Sequence, residues 1–251
     1  MKALIMAAGY AVRLYPLTKN RPKPLLPVYR KPIIEYILAR IEKVEAIDEV
    51  LVITNHRFAD RFTAWAKGLS FQKKIKILDD GTMTNDDKLG AVGDINFVIK
   101  NAQLSDDLLI IAGDNLFDFS LDEFIKAGLS KRPAVSIGLY DIGDLDAVKK
   151  YGMVVLDKDK KIIDFQEKPR HPSTTLVAVC LYFFPQESLG LVSKYLDDGN
   201  NPDAPGYYID WLCRKEPTYG FVFKGEWYDI GDIASYHRAS KEYERRTNAQ
   251  Q

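Results

Sequence analysis

Apolar residues recur along this chain in two rhythms. In the first half, Ala3-Leu4-Ile5-Met6, Val50-Leu51-Val52-Ile53 and Leu108-Leu109-Ile110-Ile111-Ala112 are unbroken runs, and Ile75-Lys76-Ile77-Leu78 is interrupted by one lysine. Such short runs, each followed by turn-forming or polar residues, predict buried strands. Between them the spacing changes. After Pro32, which can open a helix, Ile33, Ile34, Ile37, Leu38 and Ile41 fall on one helical face. Phe58, Phe62 and Trp65 define a second amphipathic stretch, and a third helix is predicted over about 89–100. Asp79-Asp80-Gly81 reads as a turn, followed by a polar loop over 82–88. Strands alternating with helices predict a parallel sheet with helices on its faces. Ligand sites of such sheets lie beyond the carboxyl ends of the strands, where Gly9, Asn55 and Asp114 fall.

The second half has another character. Residues 134–140 alternate like a strand, 152–156 and 162–165 flank the turn Asp157-Lys158-Asp159-Lys160-Lys161, and 177–184 is a long apolar strand. This predicts antiparallel or mixed sheet joined to the first half. Pro185 can open a helix through Leu189, Leu191, Val192 and Tyr195. A Gly-, Asn- and Pro-rich loop is expected over 197–206, a short helix over 208–213, and short strands at 219–223 and 227–228. The tail from Ile233 reads as helix, with the charged run 241–246 as its solvated end. No repeat or interdomain linker interrupts the chain. The expectation is one domain over 1–251, with a first half to about 115 and a second from about 116.

Composition narrows the function classes. With 251 residues and 46% hydrophobic content, the chain can bury a substantial core. A formal net charge of +0 argues against bulk nucleic-acid affinity, so any anion site must be local. Cys180 and Cys213 are far apart in apolar surroundings, as reduced buried thiols would be. No signal peptide or bilayer-length apolar run is present, and a cytoplasmic protein with no membrane partner is expected.

The local anion site is placed by the stretch 7–32. It holds five of the 12 prolines, the cations Arg13, Lys19, Arg21, Lys23, Arg30 and Lys31, and no carboxylate; the first acidic residue is Glu35. A stiff cationic loop after a strand suits a polyanion such as a triphosphate, although a solvated basic loop has the same composition. It lacks the second and third glycines of a dinucleotide fingerprint and the Gly-Lys-Ser/Thr of a P-loop. Asp114, after an apolar strand, either caps a helix or holds a hard cation. Asp232 precedes an apolar helix and reads as its cap, which leaves Asp229 freer for another role. Glu167-Lys168-Pro169 is either a surface ion pair or a carboxylate for sugar hydroxyls beside an ammonium for phosphate. His56, His171 and His237 are scattered without metal-ligand spacing, and no nucleophilic triad can be argued.

Taken in order, AAGYAVRLYPLTKNRPKPLLPV at 7–28, LGAVGDI at 89–95, GDN at 113–115, YGMV at 151–154, FQEKP at 165–169 and WYDIGD at 227–232 resemble the sugar-1-phosphate nucleotidyltransferase family, which includes glucose-1-phosphate thymidylyl- and uridylyltransferases. The resemblance implies a Rossmann-like, mostly parallel α/β sheet flanked by helices and extended by an antiparallel or mixed sugar-binding half. It implies nucleotide contacts at Ala8, Gly9, Arg13, Lys23, Asn85, Gly90 and Asp114. Sugar-phosphate contacts would come from Asn115, Gly152, Glu167 and Lys168. Mg²⁺ would be held by Asp114 and Asp229, and the catalytic set would be Arg13, Lys23, Asp114, Lys168 and Asp229. The implied partners are a nucleoside triphosphate and a sugar-1-phosphate, with dTTP or UTP and glucose-1-phosphate first, and association into homo-oligomers is common in the family. One departure concerns the loop: Ala11 and Val12 stand where the family carries a second glycine and a threonine. The other is that 85–90 lacks the family's glutamine. The altered loop also admits a different class of protein, a nucleotide-sugar binding or regulatory protein impaired in catalysis.

Overall fold

The computed structural model of the chain describes residues 1–249, with side chains described through 245. The side chain of Arg246, part of the expected charged helix end, therefore lies outside the described residues.

The parallel strands β1 (Lys2–Met6), β4 (Glu49–Thr54), β5 (Lys74–Asp79) and β6 (Leu108–Ala112) stand in the order β6-β1-β4-β5. Between β1 and β4 the chain forms a small hairpin, β2 (Pro27–Val28) and β3 (Lys31–Pro32), and helix α1 (Ile33–Ile41). Helix α2 (His56–Lys67) follows β4, and α3 (Ala91–Asn101) precedes β6. The unbroken apolar runs have a simple cause: successive side chains enter different cores. Ala3, Ile5, Val50, Val52, Leu109 and Ile111 face one core with Ile34, Ile37, Phe58 and Phe62 of α1 and α2. Leu4, Leu51, Ile53, Leu108 and Ile110 face the other with Val92, Ile95 and Val98 of α3. A strand covered on both faces has no position left for a polar residue.

After β6 come β7 (Asn115–Phe117), α4 (Asp122–Ser130), β8 (Val135–Asp141), α5 (Leu145–Val148), β9 (Gly152–Leu156), β10 (Ile162–Glu167) and β11 (Leu176–Phe184). Then α6 (Gly190–Asp197), α7 (Pro205–Lys215), β12 (Thr218–Val222), β13 (Trp227–Asp229) and α8 (Ile233–Ala249) complete the described chain. Strand β11 joins the two halves. Leu181 to Phe184 pair antiparallel with β6, whereas Val177 and Ala178 pair with β9. On its other edge β11 pairs with β8, which pairs with β12. The register shifts between Ala178 and Tyr182, and Cys180 within that interval has φ 49°. A bulge thus sits where β6 ends and β9 begins.

Helices α4 and α5 and the short β2, β3 and β7 are absent from the sequence expectations. Helix α4 buries only Phe124, Ile125 and Gly128, too brief a stripe to stand out, and Gly128 lies against the Phe183 ring. The expected loop before 206 ends earlier, because Pro205 occupies the first turn of α7, where a missing N–H costs nothing. Among the described residues, no helix is long and apolar enough to cross a membrane.

The stretch 7–32 is folded back on a third, smaller core. Leu14, Leu26, Val28 and Ile33 pack with Leu116, Ile230 and Ala239, which are distant in sequence. The Tyr236 hydroxyl on α8 donates to the Pro27 carbonyl at 2.5 Å, and Tyr36 donates to Val28 at 2.8 Å.

Candidate active site

The site is assembled at the carboxyl ends of β1 and β6. The chain leaves β1 at Met6, and the Ala8 carbonyl accepts from Asn55 Nδ2 at 2.8 Å. Asn55 is buried and also caps α2 by accepting from Phe58 N at 3.1 Å. Of the three residues picked out at strand ends, Asn55 therefore pins the loop from behind. Ala11 takes a left-handed conformation with φ 48° and ψ 43°, and its carbonyl accepts from Thr18 Oγ1 at 2.8 Å. That backbone shape is one a glycine would hold at lower cost. Two short 3-10 turns then place Arg13, exposed, and Lys23, buried.

Asp114 caps no helix. It stands between β6 and β7, after Gly113, where a Cβ would meet the Met6 carbonyl at 2.6 Å. Lys23 Nζ bonds to Asp114 Oδ2 at 2.5 Å. Strand β13 pairs antiparallel with β7, setting Asp229 opposite Asn115 and so beside Asp114. Burial and the Asp114 charge push the Asp229 carboxyl up to about 6, against the pull of Lys23 and Arg13 and a hydrogen bond with the Tyr151 hydroxyl. Tyr151 is pushed up to about 12 by burial and the Asp229 charge. Two carboxylates and two cations from four separate segments thus converge.

Asn115, expected to meet the sugar phosphate, has its side chain engaged within the fold. Asn115 is buried, its amide nitrogen donates to the Val179 carbonyl at 2.5 Å, and its oxygen accepts from Trp227 Nε1 at 3.2 Å. With both ends engaged, it fastens the bulge of β11 to the strand bearing Asp229. Asp232 is the expected cap: its Oδ1 accepts from Ser235 N at 2.7 Å, and Ser235 Oγ accepts from Asp232 N at 3.0 Å.

On the β9–β10 side, Gly152 lies opposite Glu167, under the Phe165 ring, which a Cβ would strike. Lys168 follows with φ 50°, its N–H donating to the Tyr151 carbonyl at 2.9 Å. Its Nζ lies 3.7 Å from Glu167 Oε1. Burial raises Glu167, and the Lys168 charge opposes the shift. Gly206 on α7 abuts the Glu167 carboxyl so closely that a side chain there would collide with it.

Two adjoining cavities share Met6, Gly9, Ala11 and Ala91. One reaches to Lys23, Asp114, Cys180 and Tyr182. The other reaches past Ala8 to Arg13, Asp80, Asn85, Lys88, Gly90 and Asp94. Gly90 has φ +80°, and a Cβ on it would lie 2.6 Å from the Pro202 carbonyl. Gly152, Glu167, Lys168 and Asp229 line neither cavity and stand beside them.

Sequence reasoning missed Tyr151, Asp80, Asp94 and the place of Cys180. Asp94 had a signal: a carboxylate between Val92 and Ile95 on the buried stripe of a helix. Tyr151 had only its place in the YGMV segment at 151–154, and its contact with Asp229 depends on pairings between strands distant in sequence.

Among the described residues, no three His, Cys, Asp or Glu side chains are grouped to hold a metal unaided. The Asp114–Asp229 pair still fits a hard cation. Its donors are oxygens, and Mg²⁺ is typically bound by one or two carboxylates with phosphate oxygens and water completing the shell. The mutual repulsion that weakens Asp229 as an acid is what a cation would relieve.

A family model for nucleotidyl transferase matches residues 2–246. The bifunctional protein GlmU of Methanocaldococcus jannaschii is 29% identical over 231 residues, covering 92% of this chain and 51% of that protein. The UTP--glucose-1-phosphate uridylyltransferase of Synechocystis sp. is 29% identical over 247 residues, covering 95% of this chain and 62% of that one. The chain thus spans between about half and two thirds of the length of these relatives. The solved structure of UDP-glucose pyrophosphorylase complexed with UDP-glucose superposes with a TM-score of 0.81 at 20% identity, covering 98% of each chain. That likeness concerns the fold.

Proposed function

The chain belongs to the nucleotidyl transferase family, and from that premise we propose that it joins a nucleoside triphosphate to a sugar-1-phosphate, with release of pyrophosphate. The observation that carries the proposal is the meeting of Asp114, Asp229 and Lys23 at the mouth of β6, with the Glu167–Lys168 pair across the β11 bulge. The first group suits a triphosphate and its counter-ion, and the second a phosphorylated sugar.

The attacking sugar-phosphate oxygen is already an anion, so no general base is required. The barrier lies in bringing two anions together in line. Lys168 draws in the sugar phosphate, and Glu167 accepts from sugar hydroxyls. Gly152, without a side chain, makes room for the Phe165 ring and so sets the strand beside Glu167. Arg13 offers a planar fork to the leaving pyrophosphate, and Lys23 holds a phosphate oxygen while steadying Asp114. Asp114 and Asp229 would hold Mg²⁺, which when bound would neutralise charge at the α-phosphate. Tyr151 keeps Asp229 oriented. The expected sugar is glucose-1-phosphate, by likeness to the uridylyltransferase relative.

Pyrophosphate release, measured with Mg²⁺, CTP, ATP, GTP, UTP and dTTP and a panel of sugar-1-phosphates, tests this reading. Turnover is expected in at least one combination, with a loss of more than about 10²-fold in Asp114→Ala. Triphosphate binding without release in any combination would favour a nucleotide-sugar binding protein. Full activity of Asp114→Ala would remove the metal role from that residue.

A further inference from the structure

The cavity beyond Gly9 is lined by charges that phosphate binding does not explain. Asp94 projects from the buried face of α3, only 7% exposed, and its Oδ1 has no hydrogen-bond partner. A carboxyl desolvated to this degree is costly unless something meets it. Asp80, just beyond β5, meets it carboxyl to carboxyl within hydrogen-bond reach on the cavity wall, with one oxygen anchored by Thr82 N at 2.7 Å. The ammonium of Lys88 on the same wall is turned to Asp203 at 2.8 Å, and Arg13 lies toward the phosphate side. Asn85 adds an amide. The groups left for a ligand are mostly oxygen acceptors. Burial and the Asp80 charge push Asp94 up to about 8, and burial also raises Asp80. The pair therefore shares a proton near neutrality, held in the hydrogen bond between the two carboxyls, and the oxygens turned to the cavity remain acceptors.

We propose that Asp80 and Asp94 read the base of the triphosphate and select one bearing an exocyclic amino group, cytosine, adenine or guanine, over uracil and thymine. An amino group offers two N–H donors, which carboxylate oxygens accept, as Asp and Glu accept from the amino group of cytosine. Uracil and thymine present one ring N–H between two carbonyls. Placed here, a carbonyl would face carboxylate oxygen, and buried acceptors would stay unpaired. This displaces the dTTP or UTP expectation, which came from family likeness alone. The inference rests on reading the site as one for a nucleoside triphosphate.

Titration calorimetry with CTP, ATP, GTP, UTP and dTTP in Mg²⁺ tests it without depending on turnover. At least one of the first three is expected to bind about tenfold or more tighter than both UTP and dTTP. Asp80→Asn exchanges an acceptor oxygen for an N–H donor and should narrow that gap while affinity for the sugar phosphate is unchanged. Asp94→Asn imitates the protonated acid, so its melting temperature at pH 7 should match that of the parent and the gap should persist in it. UTP or dTTP binding as tightly as all three amino-bearing triphosphates overturns the inference, and so does a gap that Asp80→Asn leaves intact. A preference for amino-bearing bases in a protein that releases no pyrophosphate would sustain the inference and defeat the transfer reaction. Turnover without base preference would do the reverse, and no triphosphate binding would overturn both.

Discussion

Asp229 shows how burial and a neighbouring charge can set one residue against the stability of the fold. Its carboxyl is raised to about 6 by burial and by Asp114, so the folded chain binds its proton more tightly than the unfolded chain does. Ionising it costs the fold, and that cost grows as pH rises from about 4 to about 6. Asp229→Asn is therefore expected to stabilise the protein by up to about 3 kcal/mol at pH 8, for a shift of roughly two units, and by little at pH 4. Urea unfolding at the two pH values reads this; equal effects at both would mean the carboxylate is not strained. In the proposed role of Asp229 as a Mg²⁺ ligand the same proton would compete with the cation, and turnover at limiting Mg²⁺ should then fall as pH drops through about 6. Asp229 stood out in the sequence because Asp232 had the better claim to the helix cap, and Ser235 fulfils it. The strain on Asp229 was not legible, because it arises from burial first and from Asp114 second, and Asp114 is more than a hundred residues away and brought near through the β7–β13 pairing.

Helix α3 is held at its start by the segment before α7. Ala91 N and Val92 N donate to the carbonyls of Asp203 and Pro202 at 3.1 and 2.9 Å. Those N–H groups are thus satisfied by protein and do not make an anion site. Gly90 permits the approach through its positive φ and missing Cβ. Gly90→Ala should cost more than about 1 kcal/mol, since it meets both backbone strain and backbone collision. It should also raise KM for the triphosphate more than for the sugar phosphate; an equal rise would place the 202–203 contact outside nucleotide binding. The helix itself was readable from Val92, Ile95 and Val98, as was every strand of the parallel set. Elements whose apolar stripe is only three residues long, as in α4, or whose pairing is two residues long, as in β2 and β3, carry no period to read. The loop carrying Arg13 and Lys23 was identified by its prolines and cations. Its left-handed turn at Ala11 was not, since alanine carries no signal for that conformation.

Across the whole molecule, three cores have different duties. The two large ones sandwich the sheet, and the small one under 7–32 gathers Leu14 and Val28 with Ile230 and Ala239. Ala239→Asp would bury an unpaired carboxylate in the small core alone. Hydrogen exchange should then accelerate in 12–28 and 230–245 while strands 2–6 and 108–112 keep their protection. Acceleration in the central strands as well would make the three cores one cooperative unit. The bulge of β11 has a consequence of another kind. Because this strand pairs with β6 through Leu181 and with β9 through Ala178, the offset between the two halves is counted in residues, and the interval is 179–180. Deleting one of these residues would invert side-chain alternation on one flank of the strand, exchanging inward and outward faces. The spacing of the two proposed substrate subsites is in that sense digital: it can change by whole residues, with wholesale repacking, but it cannot drift.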